Sequence, residues 1–518
     1  MSACALTSIA AASPQTGSLT AVELDQFSAA PSAATGAHFG RSLAVDGDRM
    51  LCASGSHSYS THAEVLVRAA GVWTHEADLY NSHFDEFAVC LAGDLALIGV
   101  NTYGSPDNGR VLVARRGGST WSTSWLDSPD AGATPKFGAS TAISGTTVVV
   151  SDSEYAHAFA REGALYIYED TGVDLVLRQT IYGALANGAL GSRVAVHDGD
   201  LLAGVEYHDN SQVIDLRAFQ RQGGQWTQTQ RALGLKLAGA SGLLRVEIDD
   251  WGLAVLSTYF GGAYMLASTG DGMWFRDATF IGTPPGTGVD MQLSDGVFAL
   301  SAPAGAASNP TGSVYLYARN NGWKMMHQLT ASDAQPGDRF GHGIELRGSH
   351  LFVGADEDDD FGIDNGAVYE YELQHDPARV YCVPQVSSIG CVPHIGFAGA
   401  PSATSSAPFT LKASKVPSFR PGFFVYSTSG AQFQALGTSV RCFAAPRFVT
   451  AHQASGGSTP GVFDCTGKLS FDCNALIQSG VDPQLIAGAR VNGQFVCRDP
   501  GNPSGIAATD AVEFTILP

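Results

Sequence analysis

Charged residues and long apolar runs are both scarce in this sequence. Asp, Glu, Lys and Arg make up 15% of its 518 residues, whereas soluble domains usually contain about 25%. No stretch approaches the roughly 20 apolar residues needed to cross a bilayer, so we expect no transmembrane segment and a chain that is soluble or merely anchored. The 44% hydrophobic content predicts a folded chain rather than a disordered one.

The sequence also lacks a basic balance and the short motifs of common enzymes. Its net charge of −20 argues against nucleic acid as a partner, because phosphate binding needs cations. The motifs HExxH, GxSxG, GxGxxG and the P-loop are absent. The histidines are scattered along the chain, so their spacing indicates no catalytic pairing. We propose no catalytic residue, and no cofactor other than the calcium considered below.

Glycine is abundant, and it points to an all-β fold. Gly occupies 61 of 518 positions and supplies the positive φ angles of tight corners. A repeat of about fifty residues accompanies it, because Phe39–Asp48 returns as Phe137–Gly145 and as Phe340–Gly348. Weaker copies bring the number to seven, marked by Gly47, Gly93, Gly145, Gly199, Trp251, Gly296 and Gly348.

Each unit of the repeat predicts four short strands, which is typical of a propeller blade. We therefore expect residues 19–373 to form a seven-bladed β-propeller. The chain leaves the repeat after Tyr371 without a fourth strand, whereas Leu19–Gln26 precedes the first unit as an unmatched strand. This N-terminal strand should complete blade seven, because closing the ring removes its exposed sheet edges.

The motifs resemble the FG-GAP repeat, known from integrin α-chain propellers and from many secreted bacterial proteins. The resemblance rests on the Phe-Gly openings, the Val-Gly-Ala end of the second strand in the last unit and the Gly-Ala-Val-Tyr third strand. It is weaker in units four to six, where Leu190-Gly191, Ser241-Gly242 and Val289-Asp290 replace Phe-Gly. The resemblance implies a propeller of the secreted or cell-surface kind, in which the Gly and aromatic markers are structural.

Residues 380–518 form a different module, predicted to be a small β-sandwich because alternating strands are separated by Pro, Gly and Ser turns. Its opening Tyr381-Cys382, its Gly422-Phe-Phe strand and its Arg498-Asp-Pro resemble a C-terminal module of secreted planctomycete and myxobacterial proteins. That resemblance implies no activity.

Six of the nine cysteines lie in this module, without the paired short spacings of a zinc site. We expect a disulfide framework that pairs Cys382 with Cys391, Cys442 with Cys465 and Cys473 with Cys497; six buried thiols are the alternative. Disulfides form outside the cytoplasm, so they predict an extracellular or cell-surface protein. Cys52 and Cys90 are expected to be small buried apolar residues of the propeller.

The acidic segment 356–364 offers the one candidate metal site. Asp356, Asp358, Asp360 and Asp364 have the alternating spacing with which carboxylates converge on calcium. The departure is Phe361, because calcium loops usually place Gly at that point and here Gly362 comes one residue later. A plain solvated loop is the alternative.

Residues 1–18 are read as an N-terminal segment that is processed or truncated, since the start has no cationic region and is not a complete signal peptide. Cys4 would be a lipid attachment point if a lipoprotein signal preceded it; an untidy start is the alternative.

Recognition is the function that this architecture favours. We expect a secreted or cell-surface recognition or adhesion scaffold that binds a glycan or protein ligand through propeller loops such as Tyr103–Asn108 and Glu206–Asn210. The alternatives are a secreted polysaccharide hydrolase or lyase with its site on the propeller, and a structural envelope component. Active sites of propellers are assembled from separate blades, so missing motifs do not exclude an enzyme.

The charge is divided unevenly between the two parts. The residues from Ala378 to the end carry nine Lys and Arg against six Asp and Glu, a charge of +3, which leaves −23 for residues 1–377. With a linker at Glu372–Arg379, this asymmetry predicts a module docked near blade seven and the N-terminal strand.

Overall fold

The structure is a computed structural model. It describes residues 18–28, 36–55, 60–83, 85–102, 109–130, 136–206, 214–230, 243–251, 253–258, 262–268, 272–280, 290–294, 296–303, 310–436, 439–458 and 462–518. The N-terminal segment and Cys4 therefore lie outside the described residues, apart from Ser18. Within the described part, no helix is long and apolar enough to span a membrane.

Seven antiparallel sheets of four strands form the ring, and each of the first six follows the chain order. The N-terminal strand is β1 (Ser18–Phe27). Blade one is β2 (Ser42–Asp46), β3 (Arg49–Ser54), β4 (Ser60–Ala69) and β5 (Val72–His83). Blade two is β6 (Asp85–Ala92), β7 (Leu95–Thr102), β8 (Arg110–Gly117) and β9 (Thr120–Leu126). Blade three is β10 (Phe137–Ser144), β11 (Thr147–Asp152), β12 (Ala164–Asp170) and β13 (Leu175–Tyr182).

The remaining blades repeat this arrangement. Blade four is β14 (Val194–His197), β15 (Asp200–Glu206), β16 (Ile214–Gln222) and β17 (Gln225–Gln230). Blade five is β18 (Leu243–Ile248), β19 (Leu253–Thr258), β20 (Gly262–Ser268) and β21 (Trp274–Phe280). Blade six is β22 (Met291–Ser294), β23 (Val297–Ala302), β24 (Ser313–Arg319) and β25 (Trp323–Leu329). Blade seven is β26 (Phe340–Arg347), β27 (His350–Ala355) and β28 (Ala367–Asp376), completed by β1.

The closing strand lies where the sequence predicts it. β1 pairs antiparallel with β28 from Ser18 opposite Asp376 to Phe27 opposite Val368, with one irregularity between Glu23 and Asp25. The outer edge of blade seven is therefore covered by the N-terminus of the chain, as in a ring closed by strand exchange between its two ends.

The Phe-Gly openings are contacts between neighbouring blades. Phe39 is fully buried, and Gly40 has a φ of +88°. A Cβ atom at Gly40 would lie 2.8 Å from the carbonyl oxygen of Ala367 and 2.9 Å from the Cα of Gly354, both in blade seven. Glycine is required there by the close approach of two backbones as well as by the positive φ.

The C-terminal module is a β-sandwich with one short helix. Its strands are β29 (Ala378–Tyr381), β30 (His394–Ala398), β31 (Thr410–Val416), β32 (Pro421–Ser427), β33 (Ala431–Leu436), β34 (Ser439–Phe443), β35 (Phe448–Val449), β36 (Gln453–Ala454), β37 (Gly467–Asp472), β38 (Arg490–Arg498), β39 (Ile506–Ala508) and β40 (Ala511–Thr515). The larger sheet has the path β29-β40-β38-β32-β35, and the smaller sheet is β30-β31-β37. The helix α1 (Cys473–Ser479) was not expected from the strand pattern; Asp472 caps it through the N–H groups of Asn474 and Ala475.

The disulfide pairing predicted from sequence spacing is wrong. The structure joins Cys382 to Cys442 and Cys391 to Cys465. Neighbours along the chain do not pair because the fold brings the end of β29 to β34, where the Tyr381 hydroxyl donates a 2.8 Å hydrogen bond to the Cys442 carbonyl.

Cys473 and Cys497 are free and buried, so the expected third disulfide is not formed. Both side chains pack in the core of the sandwich as small apolar groups. Burial raises the pKa of each of these two thiols to about 12, which keeps them protonated and unreactive.

The module docks on the propeller, and its contacts extend from the predicted position beside blade seven to blades six and five. Arg319, at the end of β24 in blade six, is fully buried and pairs with Asp510 at 3.2 Å, and it also donates to the Cys382 carbonyl. His394 of the module lies 3.6 Å from Asp277 of blade five and 3.3 Å from Asp510. Polar contacts are thus made with blades five and six, while Leu19 of β1 and His375 of β28 line a small cavity together with Val380 and Phe397 of the module, close to the predicted position.

The docking position follows from the direction of the last propeller strand. β28 ends at the side of the ring that carries the two-residue hairpins. The next strand, β29, packs against β24. Trp251 packs edge-on against Tyr381 with 4.8 Å between ring centroids, and the amide of Asn320 exchanges two hydrogen bonds with the backbone of Phe397. Buried polar and aromatic contacts fix the position, and net charge does not.

The buried Arg319–Asp510 ion pair should stabilise the folded chain. Arg319→Met should leave Asp510 buried without its guanidinium partner and lower the free energy of unfolding by about 3–5 kcal/mol. Arg178→Met is the matched control, because the Arg178–Glu169 pair is exposed and should cost about 0–1 kcal/mol. Calorimetry of the full chain measures both, and equal effects would contradict the assignment.

Peptide mapping without reduction tests the disulfides. It should recover Cys382 linked to Cys442 and Cys391 linked to Cys465. Alkylation of Cys473 and Cys497 should require denaturant, because both thiols are buried. Recovery of a Cys473–Cys497 peptide would contradict the observed arrangement.

Candidate functional site: the central channel and the loop face

The innermost strand of every blade lines a channel along the axis of the ring. These strands are β2, β6, β10, β14, β18, β22 and β26, and the cavity between them has a volume of about 530 Å³. Alternate residues of a strand point to one face of its sheet. The channel lining is therefore set by residues about fifty positions apart, one group from each blade.

The wall contributed by blade five and the start of blade six carries opposite charges in contact. Arg245 Nε donates a 2.8 Å hydrogen bond to Glu247 Oε1, and Arg245 Nη1 lies 3.3 Å from Asp290 Oδ1. Burial raises the pKa of Asp290, although the Arg245 charge and the backbone N–H of Ile344 lower it in part.

Blade seven adds a second ionic pair beside this one. Glu345 Oε2 accepts a 2.9 Å hydrogen bond from Gln292 Nε2, and Glu345 Oε1 lies 2.8 Å from Arg347 Nη2. Burial raises the pKa of Glu345 to about 7, with Arg347 and Arg245 offsetting only part of the effect. The channel thus contains a carboxyl group that exchanges its proton near neutral pH.

The opposite wall carries fewer ionic groups, although Arg41, Arg193 and His197 also line the channel. Blades one to four present mostly small side chains there, including Ala88, Ala142 and Ala195. Cys90 is also in this wall, where its Sγ lies 3.0 Å from the Thr141 carbonyl oxygen. Burial raises the pKa of Cys90 to about 11, so its thiol remains protonated. The channel therefore has a wall of paired charges at blades five to seven and a wall of mostly small side chains opposite it.

The two ends of the ring differ in their connections. Strands alternate in direction, so the two-residue hairpins within blades lie at one end, which we call the hairpin face. The connections between second and third strands and between blades lie at the other, which we call the loop face. The C-terminal module contacts the hairpin face, as at Asn320, and the candidate calcium loop lies on the loop face.

The structure separates Asp356 from the calcium set predicted for this loop. Asp356 is fully buried and ion-paired with His342 at 2.5 Å and with Arg41 and Arg339 at 3.9 Å each. Burial alone would raise its pKa, but the His342 hydrogen bond and the arginine charges lower it overall. A carboxylate that faces two arginines and a histidine does not fit a calcium ligand.

The other members of the loop lie apart from Asp356. Asp358 and Asp333 both contact the Tyr369 hydroxyl, at 2.8 and 2.7 Å. A hydrogen bond with Asp333 raises the pKa of Asp360, whereas the Asp364 backbone N–H donates to Asp359. Calcium binding by Asp358, Asp360 and Asp364 stays a prediction.

The recognition loops named from the sequence fall outside the described residues. Tyr103–Asn108 is wholly outside, and of Glu206–Asn210 only Glu206, the last residue of β15, is described. The loop in the corresponding place of blade three, residues 153–163, is described. No recognition loop was predicted there, although Tyr155, His157 and Phe159 are an aromatic signal in the sequence.

The blade-three loop is held rigidly and exposes aromatic side chains. Glu162 is buried, and its Oε1 accepts the N–H groups of His157 at 2.7 Å and Ala158 at 2.6 Å. His157 stacks on Tyr182 with 4.4 Å between ring centroids, and Phe159 is 48% exposed. These contacts fix the loop before any ligand arrives.

Comparison with known proteins supports the repeat assignment. Residues 323–371, which span β25 to β28, match the family model described as FG-GAP repeat. No curated protein matches the chain. Among solved structures, a crystal structure of a protein from Lactobacillus plantarum is similar, with 12% sequence identity and a TM-score of 0.42, over 57% of this chain and 86% of that one.

Glu345 should give the protein a distinctive pH dependence. Its pKa is raised on folding, so the native state holds a proton that the unfolded chain releases, and stability falls as pH rises from about 4.5 to 7. Over this pH range, Glu345 should lower the free energy of unfolding by about 3 kcal/mol. Glu345→Gln should flatten this pH dependence, as measured by urea unfolding between pH 4.5 and 8; parallel curves for both proteins would contradict the shift.

Proposed function

We propose that this protein is a secreted or cell-surface recognition scaffold that binds a glycan or protein ligand through the loop face of its propeller. The observation that carries the proposal is the rigid, aromatic blade-three loop. A propeller of FG-GAP repeats supports a binding or scaffold role in general, and the ligand class is our inference from the exposed groups.

The blade-three loop belongs to a larger surface. Asn187 donates its backbone N–H to the Ala160 carbonyl at 2.7 Å, which ties the connection after β13 to the loop. Leu185 on that connection is 45% exposed, and Phe159 on the loop is 48% exposed. We call His157, Phe159, Tyr182 and Leu185 the blade-three patch.

The chemistry of the patch suits a ligand with both apolar and hydroxyl groups. Aromatic faces stack on the C–H faces of sugars and on apolar side chains, while tyrosine also offers a polar end. The Tyr182 hydroxyl already donates to Asp130 at 3.1 Å. Because the backbone is held by Glu162, binding orders few new groups and keeps more of its interaction energy.

The position of the C-terminal module agrees with this orientation. It covers part of the hairpin face through Arg319 and His394, so the loop face is the end directed away from it. The two disulfides of the module are typical of an oxidising compartment. Together they support display of the loop face outside the cytoplasm.

A polysaccharide hydrolase is the second candidate, and Glu345 is the observation that favours it. Burial raises the pKa of Glu345 to about 7, and a general acid is typically a carboxyl group with such a raised pKa in a cavity. Against this reading, Arg347 and Gln292 already occupy its oxygens. Product analysis during ligand screening distinguishes the two, because a scaffold leaves its ligand intact.

Phe159→Ala tests the recognition surface. The purified full chain is first screened against glycans and cell-surface polymers, and the strongest ligand is titrated. Loss of the exposed ring should weaken binding roughly tenfold or more, since aromatic anchors contribute most of the energy at such sites. Val173→Ala is the control, because Val173 is 75% exposed on the hairpin face of the same blade.

Unchanged affinity of Phe159→Ala, or equal losses in both variants, would contradict the placement on the loop face. Ligand turnover that disappears in Glu345→Gln would favour the hydrolase instead.

A further inference from the structure

The outer half of blade one gathers two histidines and two carboxylates on one sheet face. His62 and Glu64 are two residues apart on β4, so their side chains point to the same side. Asp78 on β5 lies directly opposite Glu64 in the strand register. One ligand atom from each of these three residues lies within 4.8 Å of the other two.

His75 joins the group through an irregularity in β5. The register places Ala77 opposite Val65 and His75 opposite Leu66, so Glu76 is the extra residue of a β-bulge. Without the bulge, His75 would face the other side of the sheet, because it is an odd number of positions from Asp78. The carboxylate of Glu76 does not join the group, because it accepts hydrogen bonds from Arg49 and Trp121.

The distances within the group are those of convergent donors. His62 Nε2 and His75 Nε2 lie 3.0 and 2.7 Å from the same oxygen, Asp78 Oδ1. His75 Nε2 also lies 3.9 Å from Glu64 Oε2. Four ligands bound tetrahedrally at 2.0–2.1 Å are roughly 3.3 Å apart. The ligand atoms of His62, Glu64 and Asp78 already lie within 4.8 Å of one another, and His75 reaches the group through Asp78 and Glu64.

The group is a departure of blade one from the other blades. The bulge of blade one falls between Val65 and Leu66, and Glu64 lies two residues before Leu66. At the equivalent position, blades three, five and six have a tyrosine: Tyr166, Tyr264 and Tyr315. A tyrosine there packs in the blade, whereas Glu64 places a buried carboxylate, 3% exposed, beside two imidazoles. The pairing of β4 with β5 has a second irregularity directly before Glu64, between Ala63 and Glu64.

We propose that His62, Glu64, His75 and Asp78 form a binding site for a divalent transition-metal ion of the zinc type. Two imidazole nitrogens and two carboxylate oxygens are the donor set that Zn²⁺ accepts, whereas calcium prefers oxygen alone. Asp78 is 61% exposed and His75 is 34% exposed, so the ion enters from solvent. Bound there, it joins β4 to β5, the outermost pair of the blade.

Metal titration of the tag-free full chain tests the site. After chelator treatment and dialysis, the protein should bind one Co²⁺ per chain at this site, with the visible absorption of a tetrahedral nitrogen and oxygen site, and Zn²⁺ should displace it. Loss of supporting partners alone costs about 10–100-fold in metal affinity. His62→Ala and His75→Ala should therefore each weaken binding at least tenfold and remove the absorption band.

His327→Ala is the matched control, because His327 lies on the corresponding outer strand of blade six with its Nδ1 beside the Gln328 carbonyl. It should bind cobalt as the unsubstituted protein does. Circular dichroism checks folding; if either histidine variant is misfolded, Asp78→Asn replaces it, since this exposed side chain keeps its shape. No stoichiometric binding by the unsubstituted protein, or binding retained in the folded ligand variants, overturns the proposal.

Discussion

The close approach of adjacent blades at the Phe-Gly pairs is the constraint on which the propeller depends. Phe39 and Phe340 are fully buried at these points, and the glycine that follows each lies against the backbone of the preceding blade. Because a Cβ cannot be accommodated there, the angle between blades is fixed at each junction. Blades one, three and seven use this junction, at Gly40, Gly138 and Gly341, and the seven inner strands together surround the channel.

Once the inner backbone is fixed, the side chains facing the channel can vary between blades. Blade six is the clearest example of this variation, because Asp290 occupies the glycine position of the motif. Its carboxylate accepts the backbone N–H groups of Met291 and Ile344 and lies 3.3 Å from Arg245. A polar network thus replaces a packing contact, and it forms part of the ionic wall of the channel.

The sequence predicted the ring because its signals recur every fifty residues and are local. The Gly markers, the third-strand tyrosines and the unmatched Leu19–Gln26 strand needed no tertiary information. The channel pairs Arg245–Asp290 and Glu345–Arg347 could not be predicted, since they depend on which inner-strand residues face the axis and on which blades adjoin. Disulfide pairing failed for the same reason, as Cys382 and Cys442 meet only after the sandwich has formed.

Pairing of β1 with β28 has a consequence for the order in which the molecule is assembled. Ser18 finds its partner Asp376 only when nearly the whole ring has been synthesised, and closing so long a loop carries an entropic cost. Blades one to six are each formed from four consecutive strands, whereas blade seven is complete only when β1 pairs with β28. Until then β28 remains an open edge, and the step that covers it converts an open arc of blades into a single cooperative body.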